Sequence, residues 1–410
     1  MTGRSSLLTL PDAASEPIRS VDDRSAGCLQ LVCLESTAEL LADAARWDRL
    51  WYESTTTIPT ARAAAVAQWC RQFGPQAPVR FIAVAQAERY LAALPLVERR
   101  LAGLLRVGTL PTNPWLTCGD LLAAAPVDSP ETTAALDLLV AAMHRRVPWS
   151  LLWLNEASLG QPHWQALIAA LNRRGIAHDA RPWADVGKLI LDDDWAAYRA
   201  SWSRRHRQRW MQQRRRLEAL GPLRLRRVRP RTPEELEAVL REAFAIEHRS
   251  WKGRGGTSVL STPGMFGYFL AQAKAPAVEG RVELAFLDVG DQPAAFILGL
   301  HGKGVFHSCK IAYEPQWADY SPGQVLRGLL LEDLFAQRTD RRENDREPIA
   351  AIDFQGALTS AHRAWRPDCY AVGRLAIGLG PTGRTLLMLL RTLRPVIRSA
   401  RWAALRKSSE

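Results

Sequence analysis

With 410 residues, 47% of them hydrophobic and 23% charged, the chain has the composition of a soluble globular protein and the length for two ordinary domains. No apolar run reaches the roughly 18–20 residues of a membrane span, and residues 1–26 mix Ser, Pro, Asp and Arg without the apolar stretch of a secretory signal, which marks them as a flexible arm. The formal net charge of +12, carried mostly by arginine, favours anionic partners: phosphorylated cofactors, nucleic acid or an anionic membrane leaflet.

After the arm, residues 29–34 predict a strand. Two helices follow, one presenting Trp47 and Trp51 on a single face and one over 61–73, with a Thr/Pro stretch at 55–60 between them. Residues 80–85 and 90–97 alternate as a hairpin around a polar turn. Ser129-Pro130-Glu131 opens a helix. A strand at 150–154, a helix at 162–174 and a strand at 186–191 complete the first half. The second half begins with a long helix over 195–220, a strand at 223–228 and a helix over 233–251, where Thr232 and Glu235 form a capping box. A Gly-rich loop at 252–257 and a helix at 264–273 lead into a second hairpin, 282–289 with 294–300, which repeats the first at an offset of about half the chain. A third strand at 304–312, a helix at 322–336 and strands at 349–354 and 371–377 follow. The charge run 338–347 reads as a solvated loop. The boundary between halves falls near 185–195, giving a first domain over 27–188, a second over 189–379 and a basic tail over 380–410.

The most informative stretch is 304–335, where a strand, a loop and then Ser321-Pro322-Gly323-Gln324-Val325 open a helix. Proline at the first helical position is geometrically favoured, and glycine lets a ligand approach the backbone. No acid follows until Glu332, so the helix start is free for an anion. The matching helix of the first half begins with Asp128 and Glu131, which repel phosphate. One working anion site, in the second half, is expected. An ordinary capped helix is the competing reading.

Several short motifs occur in order: Trp47, Trp69 and Phe73-Gly74; an arginine-rich helix at 201–217; Trp251 before the Gly-rich loop; Tyr320-Ser321-Pro322-Gly323; and Asp353-Phe354 followed by Trp365. In this order they resemble the GNAT acyltransferases, over roughly 47–377. The nearest branch is the one associated with cellulose and exopolysaccharide biosynthesis, related in fold to the Fem-type aminoacyl transferases. The resemblance implies an α/β fold of two tandem GNAT-like domains, with mixed, largely antiparallel sheets flanked by helices. It further implies acetyl-CoA or another acyl-CoA as co-substrate, held at 321–325, and a sugar or polysaccharide precursor as acceptor. The more common Gly-rich GNAT phosphate loop is not present in that form. Many relatives carry a Tyr-Lys pair after the Asp-Phe strand; Ala361 and His362 stand there, leaving Tyr320 or Tyr313 to supply a phenol.

Acyl transfer requires a base for the acceptor and an acid for the leaving thiolate. Asp353 at a strand end is the first candidate base, with Glu314 and His307 behind it; each also has a structural reading, as a cap or a satisfied strand histidine. Trp251, Lys252, Arg204, Arg207, His362 and Trp365 are the candidate substrate-binding side chains. No Gly-x-Ser-x-Gly elbow or cysteine motif is present, which favours direct transfer without a covalent intermediate. Six scattered cysteines without a CxxC pair predict no metal site and a reducing cytoplasm.

The helix bearing eight arginines over 199–216 places Tyr198, Trp202, Trp210, Leu217 and Leu220 on one face. Its cationic face reads first as solvated, second as a contact for an anionic donor or saccharide, and third as an RNA surface. The tail, with seven Lys/Arg against the single acid Glu410, can lie on an anionic membrane surface or pack on protein. An aminoacyl-tRNA-dependent transferase and a non-catalytic accessory module of polysaccharide assembly are the alternative functions.

Overall fold

Thirteen strands join into one mixed sheet in the computed structural model, which describes residues 28–113, 115–192, 194–339 and 348–392. They are β1 (Leu29–Leu34), β2 (Val79–Gln86), β3 (Arg89–Leu101), β4 (Leu105–Thr109), β5 (Leu122–Ala123), β6 (Leu151–Ala157), β7 (His178–Ile190), β8 (Leu223–Val228), β9 (Val282–Val289), β10 (Gln292–Gly302), β11 (Val305–Tyr313), β12 (Ala351–Ala357) and β13 (Asp368–Gly378). The order across the sheet is β1-β2-β3-β4-β6-β13-β7-β12-β11-β10-β9-β8, with β5 beside β3. From either edge, four antiparallel strands lead inward to one parallel step, β4 beside β6 or β11 beside β12.

The centre of the sheet departs from chain order. β7 belongs to the first half by sequence but lies against β12 of the second, and β13, last in the chain, fills the place beside β6. The two pair antiparallel from Asp368↔Lys188 to Ile377↔His178. The mixed, largely antiparallel α/β architecture is therefore present as one sheet shared by both halves. Residues 186–191, expected as a short strand, are the end of a much longer one.

Local sequence explains most helix limits. The helix Pro233–Arg249 starts with the expected capping box of Thr232 and Glu235. The single helix expected over 195–220 is instead two, Trp195–Ser201 and Arg204–Glu218, because Ser203 turns extended and its hydroxyl accepts from the His206 N–H, starting a new helix. Part of the expected Gly-rich loop is a short helix, Trp251–Arg254. Tyr198, Trp202, Trp210 and Leu217 face inward as the periodicity predicts, whereas Leu220, just past the helix end, is 49% exposed. These rings pack with Phe335 and Trp365 into a core beneath the second half, where the Tyr198 hydroxyl donates to the Trp365 carbonyl at 2.7 Å. Gly328, on the helix Pro322–Thr339, is required by that packing, since a Cβ there would sit 2.2 Å from the Trp210 Nε1. The segment expected as an N-terminal arm and the tail beyond residue 392 lie outside the described residues, as does the charge run from 340 to 347.

One buried ion cluster anchors the outer strands of the second half. Glu283 on β9 is fully buried and accepts from Arg227 and Arg229, each at 2.5 Å, and from His301 at 3.1 Å. Burial alone pushes its carboxyl up; the hydrogen bonds from His301 and Arg227 and the Arg227 charge outweigh that and hold it well below the usual carboxylate range. Glu283→Gln is expected to lower stability by about 3 kcal/mol at pH 7 in urea unfolding, because it leaves buried cations without their anion. The wild-type carboxylate is depressed only in the fold, so its contribution is full above about pH 4.3 and is lost as the pH falls below that value. The gap between wild type and variant should therefore close in acid.

Candidate active site

The parallel step between β11 and β12 lasts only three residues, Val305–His307 against Ala351–Asp353. Beyond it β11 runs on to Tyr313 without β12. β12 turns away through Gln355, a non-glycine with φ 55°, where its register on β7 also breaks. A cavity of about 580 Å³ opens at this fork. His307 to Ile311, Arg327, Asp353 to Ala357 and His362 line it from the second half, and Thr55 to Ile58, Asp120, Glu156 and His163 from the first. Tyr370, Val186 and Lys188 of the exchanged strands form its floor. Glu156, at φ 58° near the end of β6, repeats the conformation of Gln355 at the other parallel step.

Asp353 is 5% exposed. Its Oδ1 accepts the Gln355 N–H at 2.9 Å and its Oδ2 accepts the Tyr370 hydroxyl at 2.9 Å. Burial raises its pKa above the usual value, opposed by the Gln355 and Tyr370 hydrogen bonds and by the Lys188 charge. Burial and the neighbouring Asp353 charge hold Tyr370 well above the ordinary phenol value, so it carries its proton at neutral pH. Next to them the His307 Nδ1 meets the Gln355 Nε2 at 3.0 Å. Burial pushes this imidazole down to about 3, so it is neutral at physiological pH. Its Nε2 has no hydrogen-bond partner among the described residues.

Arg327 is the unexpected group. It projects from the second turn of the helix Pro322–Thr339, is 5% exposed and stacks 4.5 Å over Phe354. Its Nη1 has no hydrogen-bond partner, and no carboxylate pairs with it among the described residues. Burial pulls its pKa down to about 10. A buried guanidinium without an anion costs several kcal/mol, a cost that an incoming anion would offset. His362 also faces the cavity, packed on Phe354 with ring centroids 5.2 Å apart, and burial with the nearby Arg327 charge lowers its pKa to about 4.

Of the residues singled out in the sequence, Asp353, His307, Lys252 and His362 converge on this cavity. Lys252 is tied to the fully buried Glu247 at 2.9 Å, an ion pair that Lys310 joins at 3.5 Å. Ser321 takes a left-handed φ of 52°, and its carbonyl accepts the Gln324 and Val325 N–H groups. Gly323 abuts Ile311 on the cavity wall; a Cβ there would meet Ile311 Cδ1 at 3.4 Å, so space rather than crowding surrounds this glycine. The Gln324 side chain turns inward to accept from Trp365 Nε1 at 2.8 Å, and Val325 is core. The side chains of 324 and 325 are thus occupied, Pro322 and Gly323 are buried, and none of residues 321–325 lines the cavity itself.

The remaining candidates lie elsewhere. Trp365 is wholly buried, packed against Trp202 and His206, and does not line the cavity. Glu314 is held by Arg249 at 2.8 Å. Tyr320 lies under Arg216, and Tyr313 is 39% exposed; neither lines the cavity, and the tyrosine that does is Tyr370. Trp251 is 64% exposed, Arg204 is exposed, and Arg207 donates to the carbonyls of Arg199 and Ala200. Tyr370 and Arg327 carried no motif. A strand pairing between Tyr370 and the rest of the cavity floor could be inferred only from the strand exchange, which no local pattern encodes.

Among the described residues no cluster of three metal-ligating side chains occurs. No curated protein sequence matches the chain significantly. The chain is similar in structure to FemX, with a TM-score of 0.57 at 11% identity over 85% of this chain and 98% of that one. L-PGS from Bacillus licheniformis aligns over 86% of this chain and 96% of its own at 12% identity and a TM-score of 0.47. A tandem GNAT protein from the clavulanic acid biosynthesis pathway aligns over 86% and 99% at 14% identity and a TM-score of 0.43. At such identities the likeness to FemX is one of fold. Residues 204–343, which contain β11, the helix start at Pro322 and Arg327, match the family model described as an acetyltransferase (GNAT) domain.

Proposed function

We propose that the protein transfers an acyl group, acetyl first among them, from an acyl-CoA thioester to an amine or hydroxyl at the fork between β11 and β12. The observation that carries this reading is the Asp353–Tyr370 pair, buried beside an unpaired Arg327 and a helix start without acidic side chains. The turn at 321–323, one residue layer behind Ile311 of the cavity wall, would receive donor phosphate at the start of its helix. Arg327 would neutralise an anionic group of donor or acceptor inside the cavity. The acceptor's proton would pass to the Tyr370 oxygen as the phenol proton moves to Asp353, whose raised pKa makes it a competent base. His307, neutral, accepts from Gln355 at Nδ1 and so carries its proton on Nε2, as a donor rather than a second base. A saccharide or exopolysaccharide precursor as acceptor rests on the sequence resemblance. Reaction in the cytoplasm, with the tail touching a membrane, is part of the same proposal; among the described residues no helix is long and apolar enough to cross a membrane.

A second donor is favoured by one observation. Arg204, Arg205, Arg209, Arg215 and Arg216 are exposed on one helix, a cationic face suited to the phosphates of a charged tRNA. Binding of bulk tRNA that weakens steeply with salt, together with transfer from charged tRNA, would select it over acyl-CoA.

Titration calorimetry with acetyl-CoA should show binding that weakens at least tenfold in Gly323→Glu, which places a carboxylate at the phosphate turn; a wild type that binds no acyl-CoA of any chain length rejects the donor. Asp353→Asn should fold and bind the donor but turn over about 100-fold more slowly, and full turnover would remove Asp353 from the mechanism.

A further inference from the structure

The wall that the first half contributes to the cavity holds a hydroxyl, an imidazole and a carboxylate in series. Thr55 Oγ1 lies 3.1 Å from His163 Nδ1, and His163 Nε2 lies 3.3 Å from Asp120 Oδ2. The three come from separate pieces of chain: the loop after the helix Ala44–Glu53, the segment before β5, and the first turn of the helix Pro162–Arg173. Asp120 is fixed from behind, its Oδ1 accepting from Trp164 Nε1 at 2.8 Å and from the Leu121 N–H at 2.9 Å. The loop is pinned on both sides of Thr55, by Ser54 pairing with Ala124 and by the Thr56 hydroxyl donating to the Leu121 carbonyl at 3.2 Å. His163 is 3% exposed, whereas Thr55 is exposed and lines the cavity.

This polarity has chemical content. With its Nε2–H given to Asp120, the imidazole directs the Nδ1 lone pair at the Thr55 hydroxyl, and the carboxylate stabilises the imidazolium that forms if that proton is taken. The loop is already anchored by its neighbours, so the Thr55 contact is not needed to hold it. The open end of the series is the group that faces the cavity. None of the three residues stands in a nucleophile motif, because the constellation is assembled from distant segments.

We propose that Thr55 is a nucleophile that accepts an acyl group from an activated ester or thioester, with His163 as its base and Asp120 as the residue that positions His163. Thr55 Oγ1 forms a bond to the acyl carbon as its proton moves to His163 Nδ1. The tetrahedral adduct then expels the thiolate or phenolate, which takes the proton from His163, leaving the acyl group as an ester on Thr55. Water or an acceptor amine or hydroxyl reverses the sequence: it gives its proton to His163, attacks the ester carbonyl, and Thr55 leaves with that proton. No oxidant or further co-reactant is required.

The test uses p-nitrophenyl acetate on the full chain, which needs no CoA site and so separates this centre from the donor reading above. Near neutral pH a stoichiometric burst of p-nitrophenolate is expected, with one acetyl group on the peptide that contains Thr55. Thr55→Val, nearly isosteric, should lose both while melting like wild type, and Thr55→Ser should retain both. His163→Gln should slow the burst about 100-fold. Wild type without acetyl on Thr55, or a Thr55→Val protein with an unchanged burst, overturns the proposal and leaves the trio as a tie between loop and helix.

Discussion

The antiparallel pairing of β7 with β13 is the interaction on which the rest of the molecule depends. It joins the last strand of each half by sequence into the middle of one sheet, so that each half completes the other's strand order. The ladder is continuous but for one register shift at Val372/Gly373, and a slip of one residue elsewhere would turn every side chain of β13 to the opposite face. The position of Tyr370 beneath Asp353 is a direct result: one residue is on β13 and the other on β12, with β7 between them. The cavity inherits the same geometry, with one wall from each half and the exchanged strands as its floor.

The two halves are alike in backbone and unlike in chemistry. Both parallel steps end in a strand with a left-handed non-glycine, Glu156 in one case and Gln355 in the other. Only the second places together a buried carboxylate, a phenol and a guanidinium with no carboxylate partner among the described residues. The first instead supplies Thr55, His163 and Asp120, and the Asp120 charge adds a small contribution, behind burial and Asp353, to the raised pKa of Tyr370. The cavity therefore has titratable groups on both walls.

Much of the architecture could be read from local pattern. The hairpins, the capping box at Thr232 and the Pro322 helix start all stand where alternation and capping chemistry put them, since these signals act over a few residues. The break at Ser203 escaped because the apolar face continues through it unbroken from Tyr198 to Trp210. Asp353 was placed from a strand end, Lys252 from a Gly-rich loop, His307 from within its strand and His362 from the family resemblance, and all four line the cavity. Tyr370 and Arg327 were not readable, since one depends on strand exchange and the other on what fails to surround it. Trp365 misled for the opposite reason: an aromatic at the expected position of a ligand contact is a core residue capped by Tyr198.

The exchange of strands also bears on how the chain is made. During synthesis the first half emerges with β6 beside β4 but uncovered on its other edge, because the strand that will cover that edge is β13, more than two hundred residues later in the chain. Its hydrogen-bonding edge stays open through the synthesis of the whole second half, and an open edge of buried-type strand invites pairing with other chains. The first half is thus a structural domain that cannot mature ahead of the second. Completion of the sheet is deferred to the final strand, a long-range closure that favours slow folding, and truncation ahead of residue 368 removes the centre of the molecule rather than its end.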